Sequence, residues 1–412
     1  MADGLNAEEV KAAYKAILEH QSVQQALEFI QEDHGNTVAE QIAITEIPAP
    51  PFKERQRAED FQRRLQELGL ENVEMDSEGN VYGIRRGSGQ GPKIFVSAHL
   101  DTVFPEGTDT KVRKEGGILY APGIGDDTRG LAELLAVVRT LNRANIETVG
   151  DIVFGGTVGE EGAGDLRGVK AFFAEHEDID GFLSLDGPGF DHITYLGTGS
   201  FRYTVTYRGP GGHSFGDFGS PSAAHALGRA IAAIADLETP KEPKTTFSVG
   251  EVKGGTSVNA IAQEASMTVD LRSNDSAALE KLDKQFLAIV QKAAEAENEK
   301  WKDSRITVDI KRFGNRPPAS QSADAPIVRI ACAAVEAIGG TPALGAPSST
   351  DANHPMSLGI PAVTIGLGGT FGGAHTLEEW HNPADGHLGI QKSLMTILGL
   401  VGVKNTSPAL LK

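Results

Sequence analysis

The chain has 412 residues, of which 40% are hydrophobic and 23% are charged, so it is long enough for two globular domains with sizeable cores. A formal net charge of −18 argues against nucleic acid or an anionic membrane as the main partner. The single cysteine excludes an intramolecular disulfide and any cysteine-based zinc site. The N-terminal stretch carries several acids without a continuous apolar core, and no later run approaches about 18 apolar residues. We therefore expect no secretory signal, no membrane span and a cytoplasmic location.

The first predicted elements are helices. Apolar residues recur with helical spacing over residues 7–32, and residues 34–36 are predicted to break this pattern before a further helix at residues 37–45. An amphipathic helix is predicted at residues 55–68, followed by a strand–turn–strand pattern at residues 73–85. The N-terminal part of the chain is therefore expected to be mostly helical.

Short apolar strands then alternate with helices. The predicted strands end at His99, near residue 158 and at Asp186, and helices between them cover residues 128–141 and 169–175. This alternation predicts an α/β core with a mostly parallel sheet flanked by helices. Acidic residues or histidine follow three successive strands at their carboxyl ends, where such sheets place their ligands.

The pattern changes after Gly197. Six elements in the order β-α-β-β-α-β cover about 115 residues and predict a compact ferredoxin-like α+β unit. The α/β pattern resumes after this unit and ends in a helix at residues 390–401. We therefore predict one domain formed in two parts by residues 1–196 and 314–412, with the ferredoxin-like domain inserted at residues 197–313.

The pair His99 and Asp101 lies at the end of the apolar run that begins at Ile94. In a strand, positions i and i+2 share a face, so both side chains would point the same way. A histidine that binds a metal usually donates its second ring N–H to a carboxylate, and this pair could supply both groups. For an isolated pair, a capped core histidine would be the better interpretation.

Further candidate ligands downstream change that balance. Two histidines and several carboxylates at strand ends are the ligands that a pair of divalent cations requires. An acidic surface pair and a helix cap are the alternatives for Glu160-Glu161 and Asp126-Asp127 respectively. The first pair, however, ends a buried strand, and Asp126 is well placed to bridge two metals. The candidates are His99, Asp101, Asp126, Glu160, Glu161, Asp186 and His375.

At this point the sequence resembles a known family, the zinc-dependent peptidases and deacylases that include peptidase T, glutamate carboxypeptidase, acetylornithine deacetylase and succinyl-diaminopimelate desuccinylase. The resemblance covers residues 44–401 and rests on nine motifs in the family's order. These motifs are AHLDTVFP (98–105), GDDTRG (125–130), GEEGAGDLRG (159–168), LDGPG (185–189), GPGGHS (209–214), GGTSVNAIA (254–262), DLRS (270–273), STDAN (349–353) and GAHTLEEW (373–380).

The resemblance implies a catalytic domain with two divalent metal ions, zinc in the first place and cobalt or manganese as alternatives. It implies that Asp101 orients His99, and that Glu160 is the general base that takes a proton from a metal-bridging water. The implied ligands are His99, Asp126 and Asp186 for one metal, and Asp126, Glu161 and His375 for the other.

The inserted unit corresponds to the family's lid, which also mediates dimerisation, so the resemblance implies a homodimer. His213 would reach the active site of the partner subunit and stabilise the oxyanion, and Asn259 and Arg272 would contact polar groups of the substrate. Without the resemblance, His213 would be interpreted as a structural loop residue and Arg272 as half of a surface salt bridge.

Within the family, Asp186 favours an aminopeptidase or tripeptidase that acts on short peptides. An N-acyl amino-acid amidohydrolase or deacylase, or a carboxypeptidase, would use the same chemistry with a different pocket. A non-catalytic metal-binding scaffold is a remote alternative. The chain departs from the family at Thr128, where many relatives carry lysine. The N-terminal helices are also longer than a minimal member needs, either as a cover for the catalytic domain or as an oligomer contact.

Overall fold

The computed structural model describes residues 5–412, which form two compact units. The first unit contains the chain up to Gly197 together with Ser320–Lys412, and the second unit is Thr198–Ala319. The assignment of residues 1–196, 197–313 and 314–412 to domains with separate roles stays a prediction. Within the described residues, no helix combines the length and the apolar character that crossing a membrane would require.

The helices follow the predicted order, with one correction at the N-terminus. Residues 34–36 do not break the helical pattern, because α3 begins at His34 and only Asp33 separates it from α2. Packing of α3 against α5 outweighs the weak helix propensity of Gly35. The helices are α1 (Ala7–Glu19), α2 (Gln21–Glu32), α3 (His34–Thr45), α4 (Arg55–Glu67), α5 (Thr128–Arg143), α6 (Arg167–Glu175), α7 (Ala223–Ala235), α8 (Ser276–Trp301), α9 (Pro326–Ala337), α10 (Asn353–Ser357) and α11 (His387–Val401).

The strands include every one predicted from the apolar runs, together with several short ones that carry no clear sequence pattern. They are β1 (Glu71–Met75), β2 (Val81–Arg85), β3 (Lys93–His99), β4 (Arg113–Glu115), β5 (Ile118–Tyr120), β6 (Asp151–Thr157), β7 (Gly181–Pro188), β8 (His192–Thr194), β9 (Leu196–Gly197), β10 (Gly199–Arg208), β11 (Gly212–His213), β12 (Thr245–Gly254), β13 (Ala260–Ile261), β14 (Glu264–Ser273), β15 (Thr307–Arg316), β16 (Ala319–Ser320), β17 (Ala343–Leu344), β18 (Ala362–Leu367), β19 (Thr370–Gly372) and β20 (Trp380–Asn382).

The first unit is built on an eight-stranded mixed sheet in the order β1-β2-β6-β3-β7-β18-β8-β17. Its centre, β6-β3-β7-β18, is parallel, whereas β1 and β2 pair antiparallel with their neighbours, and β8 pairs antiparallel with β18 and parallel with β17. β3 and β18 are buried along almost their whole length, as expected for strands that helices cover on both faces. The predicted α/β fold with a mostly parallel sheet is therefore confirmed.

The N-terminal helices α1 and α2 pack on this unit. They contact α9, α11 and α5, and they bury Val10, Ile17, Val23 and Ile30 in its core. The hydroxyl oxygen of Tyr14 lies 2.8 Å from the carbonyl oxygen of Ile330 in α9. Of the two roles left open for this segment, the structure supports that of a helical cover.

A second, four-stranded sheet in the first unit has the order β19-β20-β5-β4. β20 pairs antiparallel with β5, so that Trp380 lies opposite Tyr120 and His381 lies opposite Leu119. This pairing brings the loop after β5, which carries Asp126, next to the segment before β20, which carries His375.

The second unit has the predicted ferredoxin-like arrangement. Its main strands have the order β12-β14-β10-β15 and are all antiparallel, with α7 and α8 packed on one face. Alternate residues of β10 and β14, such as Tyr203, Val205, Val269 and Leu271, are buried against these helices. The α+β class of the inserted unit is therefore confirmed.

Candidate metal centre

His99 is the last residue of β3 and is buried, with a relative exposure of 2%. Its Nδ1 lies 3.0 Å from the carbonyl oxygen of Asp101 and 3.7 Å from a carboxylate oxygen of the same residue. Its backbone N–H donates to Oδ2 of Asp127 at 2.8 Å. Since Nδ1 faces this carbonyl acceptor, a proton held there would leave Nε2, on the other side of the ring, to bind a metal.

Asp101 also holds the segment that follows β6. Its fully buried carboxylate accepts the backbone N–H of Glu160 at 3.1 Å and that of Glu161 at 2.9 Å. Burial alone would raise the pKa of Asp101, but the hydrogen bond with His99 and these two N–H groups lower that pKa below its usual range. Asp101 thus links the end of β3 to the end of β6, a second role that the sequence pattern does not reveal.

Asp126 lies between the two histidines. Its Oδ1 is 2.9 Å from Nε2 of His99, and its Oδ2 is 3.1 Å from Nε2 of His375. Nε2 of His375 is also 2.9 Å from Oε1 of Glu161. One carboxylate with one oxygen directed at each imidazole has the arrangement that a carboxylate bridging two cations requires.

The carboxylates make the centre favourable for positive charge. Hydrogen bonds to Asp126 and Glu161 raise the pKa of His375 to about 10. For His99, burial alone would lower the pKa, but the nearby carboxylates, Asp127 foremost, raise it well above its usual value. The site therefore stabilises cations at both imidazoles, and divalent metal ions would supply that charge.

Asp186, in β7, faces the same cluster. Burial and the neighbouring charge of Asp126 raise the pKa of Asp186 to about 7, with further contributions from Glu161 and Asp351. Such crowding of acidic groups is unfavourable without a cation, and the donors present, imidazole nitrogens and carboxylate oxygens, suit zinc and other divalent metals. The residues present therefore fit a dinuclear metal centre.

Two groups of three side chains each place one donor atom per residue within 4.8 Å of the others. One group contains His99, Asp126 and Glu161; the other contains His99, Asp127 and Asp186. Asp127 is the residue that sequence reasoning missed as a possible donor, because its position before α5 is typical of a helix cap. It does stand at the N-cap of α5, but its side chain makes no capping hydrogen bond.

Glu379 is a further buried carboxylate beside the site that the sequence pattern did not assign. It is fully buried and lies directly before β20, four residues after His375. Its carboxylate accepts the backbone N–H groups of Gly123 at 2.9 Å, Gly125 at 2.8 Å and Asp126 at 2.9 Å. In the sequence, only the four-residue spacing from His375 pointed to Glu379, and this spacing does not show which groups the Glu379 carboxylate contacts.

The opposite side of the Asp126 loop contacts the N-terminal helix α3. Nε2 of Gln41 donates to the carbonyl oxygen of Ile124 at 2.6 Å. The hydroxyl of Thr128 lies 2.7 Å from the carbonyl oxygen of Gly123 and 2.7 Å from the hydroxyl of Thr45. At position 128, this chain therefore uses a buried hydroxyl that connects the loop to α3.

The predicted substrate residues lie in the second unit. His213 is exposed, and its Nδ1 accepts the backbone N–H groups of Phe215 and Gly216, each at 3.2 Å. The backbone of Asn259 is close by, since its carbonyl oxygen accepts the N–H of Ser214 at 2.9 Å. Arg272, in β14, donates from Nε to Asp270 at 2.6 Å and is part of a separate contact.

The matches to known proteins agree with this geometry. A model of the peptidase family M20/M25/M40 matches residues 95–397, which is well over half of the chain and confirms the resemblance seen in the motifs. The Bacillus subtilis (strain 168) protein YqjE is 26% identical over 352 residues, covering 82% of this chain and 91% of that protein. A succinyl-diaminopimelate desuccinylase from Corynebacterium glutamicum is 30% identical over 194 residues, covering 47% of this chain and 52% of the enzyme.

Solved structures share the fold. A tripeptidase from Staphylococcus aureus subsp. aureus Mu50 matches with a TM-score of 0.74 and 21% identity, covering 88% of this chain and 97% of that chain. The Bacillus subtilis YXEP protein, a dinuclear metal-binding peptidase from the M20 family, matches with a TM-score of 0.67 and 18% identity, covering 90% of this chain and 99% of that chain. At these identities, the structures establish the likeness of the fold alone.

Proposed function

The chain belongs to the peptidase family M20/M25/M40 and is a hydrolase of peptide or amide bonds, and we propose that it is a di-zinc exopeptidase that removes residues from the free amino terminus of short peptides. The observation that carries this proposal is the position of Asp126, with one carboxylate oxygen directed at Nε2 of His99 and the other at Nε2 of His375.

We propose five ligands, with Asp126 shared between the two metals. His99 and Asp186 would hold one cation with Asp126, and Glu161 and His375 would hold the other with it. Zinc is the first choice because nitrogen and oxygen donors of this kind suit it, and cobalt and manganese are the alternatives. When bound, two divalent cations polarise the scissile carbonyl and lower the pKa of water towards neutrality.

Glu160 is the proposed general base. It is buried, with a relative exposure of 6%, and its backbone N–H is fixed by Asp101 at 3.1 Å. Because consecutive residues diverge in direction, Glu161 can reach the metal centre while Glu160 faces the substrate. The Glu160 carboxylate would accept a proton from the attacking water and return it to the amine that leaves.

The second unit supplies the remaining proposed roles. Since Nδ1 of His213 accepts two backbone N–H groups, Nε2 carries the ring proton and can donate to an oxyanion. We propose that this donation occurs in the active site of a partner subunit, in a homodimer formed through this unit. Asn259 and Arg272 would bind polar groups of the substrate.

The nature of the peptide is the least constrained part of the proposal. Aspartate at position 186 and the fold shared with a tripeptidase favour aminopeptidase or tripeptidase activity. The sequence similarity to a succinyl-diaminopimelate desuccinylase favours the second candidate, an N-acyl amino-acid amidohydrolase. Both reactions hydrolyse an amide bond with the same groups and differ in what surrounds the scissile carbonyl.

A peptide screen separates these candidates. The zinc-loaded protein would be incubated with tripeptides whose amino terminus is free, acetylated or succinylated, and with the same peptides amidated at the carboxyl terminus. The proposal predicts cleavage only where the amino terminus is free, with release of the first residue. Cleavage restricted to acylated substrates would replace it with the amidohydrolase, and release of the last residue would indicate a carboxypeptidase. A protein that binds two metals and cleaves no peptide or acylated substrate would support the scaffold.

A further inference from the structure

We propose that Glu379 is a positioning residue that fixes the Asp126 carboxylate relative to His375 and thereby sets the affinity of the centre for its metals. Glu379 would act through the backbone of the loop that follows β5 and carries Asp126, without binding the metals itself. This inference rests on the proposed function for the identity of the ligands, and its test below does not depend on the substrate.

The pairing of β20 with β5 brings Glu379 to the loop. The backbone carbonyl oxygen of Glu379 accepts the N–H of Ala121 at 3.1 Å, which extends the strand pairing by one step beyond Trp380 and Tyr120. The Glu379 side chain therefore begins beside the loop that follows β5. His375 stands at the start of the same short segment, closed by turns in which Thr376 donates to Gly373 and Glu379 donates to Thr376.

The contacts of Glu379 require a group that only accepts hydrogen bonds. Its Oε2 accepts the N–H of Gly123, and its Oε1 accepts those of Gly125 and Asp126, all between 2.8 and 2.9 Å. An ionised carboxylate has no donor and can accept all three, whereas an amide must direct its NH2 group at one of them. The third contact is made by the backbone of the bridging residue itself.

The loop needs support at Gly123 and Gly125, where its backbone has no side chain to pack. Gly123 has a φ of +77°, and a Cβ at Gly125 would lie 2.7 Å from the ring of Phe371 in β19. The loop backbone must therefore pass close to its neighbours, and glycine lets it do so at the expense of stiffness. Three N–H bonds to one buried carboxylate restrict that freedom at the point where Asp126 must meet two imidazoles.

Other roles for Glu379 agree less well with its surroundings. Both of its oxygens are used by the loop, and it is absent from both groups of converging donor atoms. Among residues 5–412, it forms no salt bridge, so it does not neutralise a buried cation. Its partners are 253 to 256 residues away in sequence, which makes it a tertiary connection between the two halves of the metal centre.

The test compares Glu379→Gln with Glu378→Gln, the same chemical change at the adjacent position. The Glu378 side chain is 84% exposed and forms a 3.9 Å ion pair with Arg113, so its replacement controls for the loss of one charge in this segment. Zinc affinity would be measured by competition with a chromogenic chelator, and the coordination by the visible spectrum of the cobalt(II)-loaded protein. Circular dichroism would establish that each variant is folded.

We expect Glu379→Gln to weaken zinc binding by about 10- to 100-fold and to change the cobalt spectrum, since outer groups that orient ligands have effects of this size. Glu378→Gln should leave both unchanged. Glu379→Asp, which keeps the charge with a shorter reach, should lie between Glu379→Gln and the wild type. Wild-type affinity and spectrum in Glu379→Gln would overturn the inference.

If Glu379→Gln does not fold, Glu379→Asp decides alone, and wild-type affinity in that variant overturns the inference. The two proposals fail in different ways. A wild-type protein that binds two zinc ions but cleaves no peptide contradicts the proposed function and leaves this inference intact. Efficient peptide cleavage by the wild-type protein, together with wild-type metal binding in the Glu379 variants, supports the proposed function and contradicts this inference.

Discussion

Replacing Asp101 by asparagine tests how the site holds Glu160. The buried Asp101 carboxylate accepts the N–H groups of both Glu160 and Glu161, at 3.1 and 2.9 Å. An asparagine side chain of the same shape has one accepting oxygen, and its NH2 group only donates. One of the two backbone N–H groups would therefore face a donor in a region closed to water.

The magnitude follows from these two contacts. A buried N–H without an acceptor costs about 1–3 kcal/mol, and the second bond loses roughly a further 1 kcal/mol because its acceptor becomes neutral. We expect Asp101→Asn to lower the free energy of unfolding by about 2–4 kcal/mol. We also expect kcat to fall by about 10- to 100-fold, because the segment that carries Glu160 is no longer held in place.

Urea denaturation of the metal-free protein and kinetics of the zinc-loaded protein would measure the two effects. Asp324→Asn is the matched control, since its side chain is 79% exposed and forms one ion pair with Arg329 at 3.0 Å. Its effect should stay within about 0.5 kcal/mol. An Asp101→Asn protein as stable as this control, with peptide turnover at the wild-type rate, would show that Asp101 does not hold the Glu160 segment.

Three further predictions concern the base, the N-terminal cover and acid stability. Glu160→Gln should still bind two metal ions by elemental analysis but lose about 10²- to 10⁴-fold in kcat, and unchanged turnover would remove Glu160 as the base. Tyr14→Phe loses the buried hydrogen bond to Ile330 and should unfold at a lower urea concentration, by about 1 kcal/mol; an unchanged midpoint would mean that this bond contributes nothing. Burial, with a smaller effect of Lys170, lowers the pKa of His354 to about 4 from its ordinary value of 6.5. As the pH falls, the His354 imidazole takes up a proton in the unfolded state before it does so in the folded state. The free energy of unfolding therefore has the full contribution of neutral His354 above pH 6.5 and loses it as the pH falls towards 4. The urea midpoint of His354→Gln should therefore fall less steeply than the wild-type midpoint over that range, and equal slopes would contradict the assignment.

The fold could be predicted from the sequence because its signals are local. The apolar runs that become β3, β6 and β7 are continuous, and the helices between them are strongly periodic, so an α/β sheet follows with its ligands at the carboxyl ends. Errors occurred where packing outweighs propensity, as at Gly35, which lies inside α3. Short strands such as β5 and β20 carry no pattern of their own and exist because they pair with each other.

The candidate site was predictable in its residue types but not in its connections. Histidine and carboxylates at strand ends indicate a metal centre, and the family motifs identify which residues to compare. The sequence cannot reveal that Asp101 holds the Glu160 backbone, or that Glu379 holds a loop 254 residues away, because such contacts exist only in the folded chain. Asp127 was hidden for another reason, since its position before α5 has a simpler explanation as a helix cap.

The carboxylates behind the centre share one kind of hydrogen-bond partner. Asp101, Asp127 and Glu379 are all fully buried, and their hydrogen-bond donors include backbone N–H groups in every case. The buried guanidinium of Arg57 donates to the carbonyl oxygens of Ile47 and Leu100 and, among the described residues, forms no direct ion pair with these acids. Backbone dipoles stabilise a carboxylate without cancelling its charge, whereas a lysine or arginine in contact would neutralise it. Burial nevertheless raises the pKa of Glu379 to about 7 and that of Asp127 well above its usual value, so these carboxylates contribute the orientation of the ligands rather than a fixed negative charge.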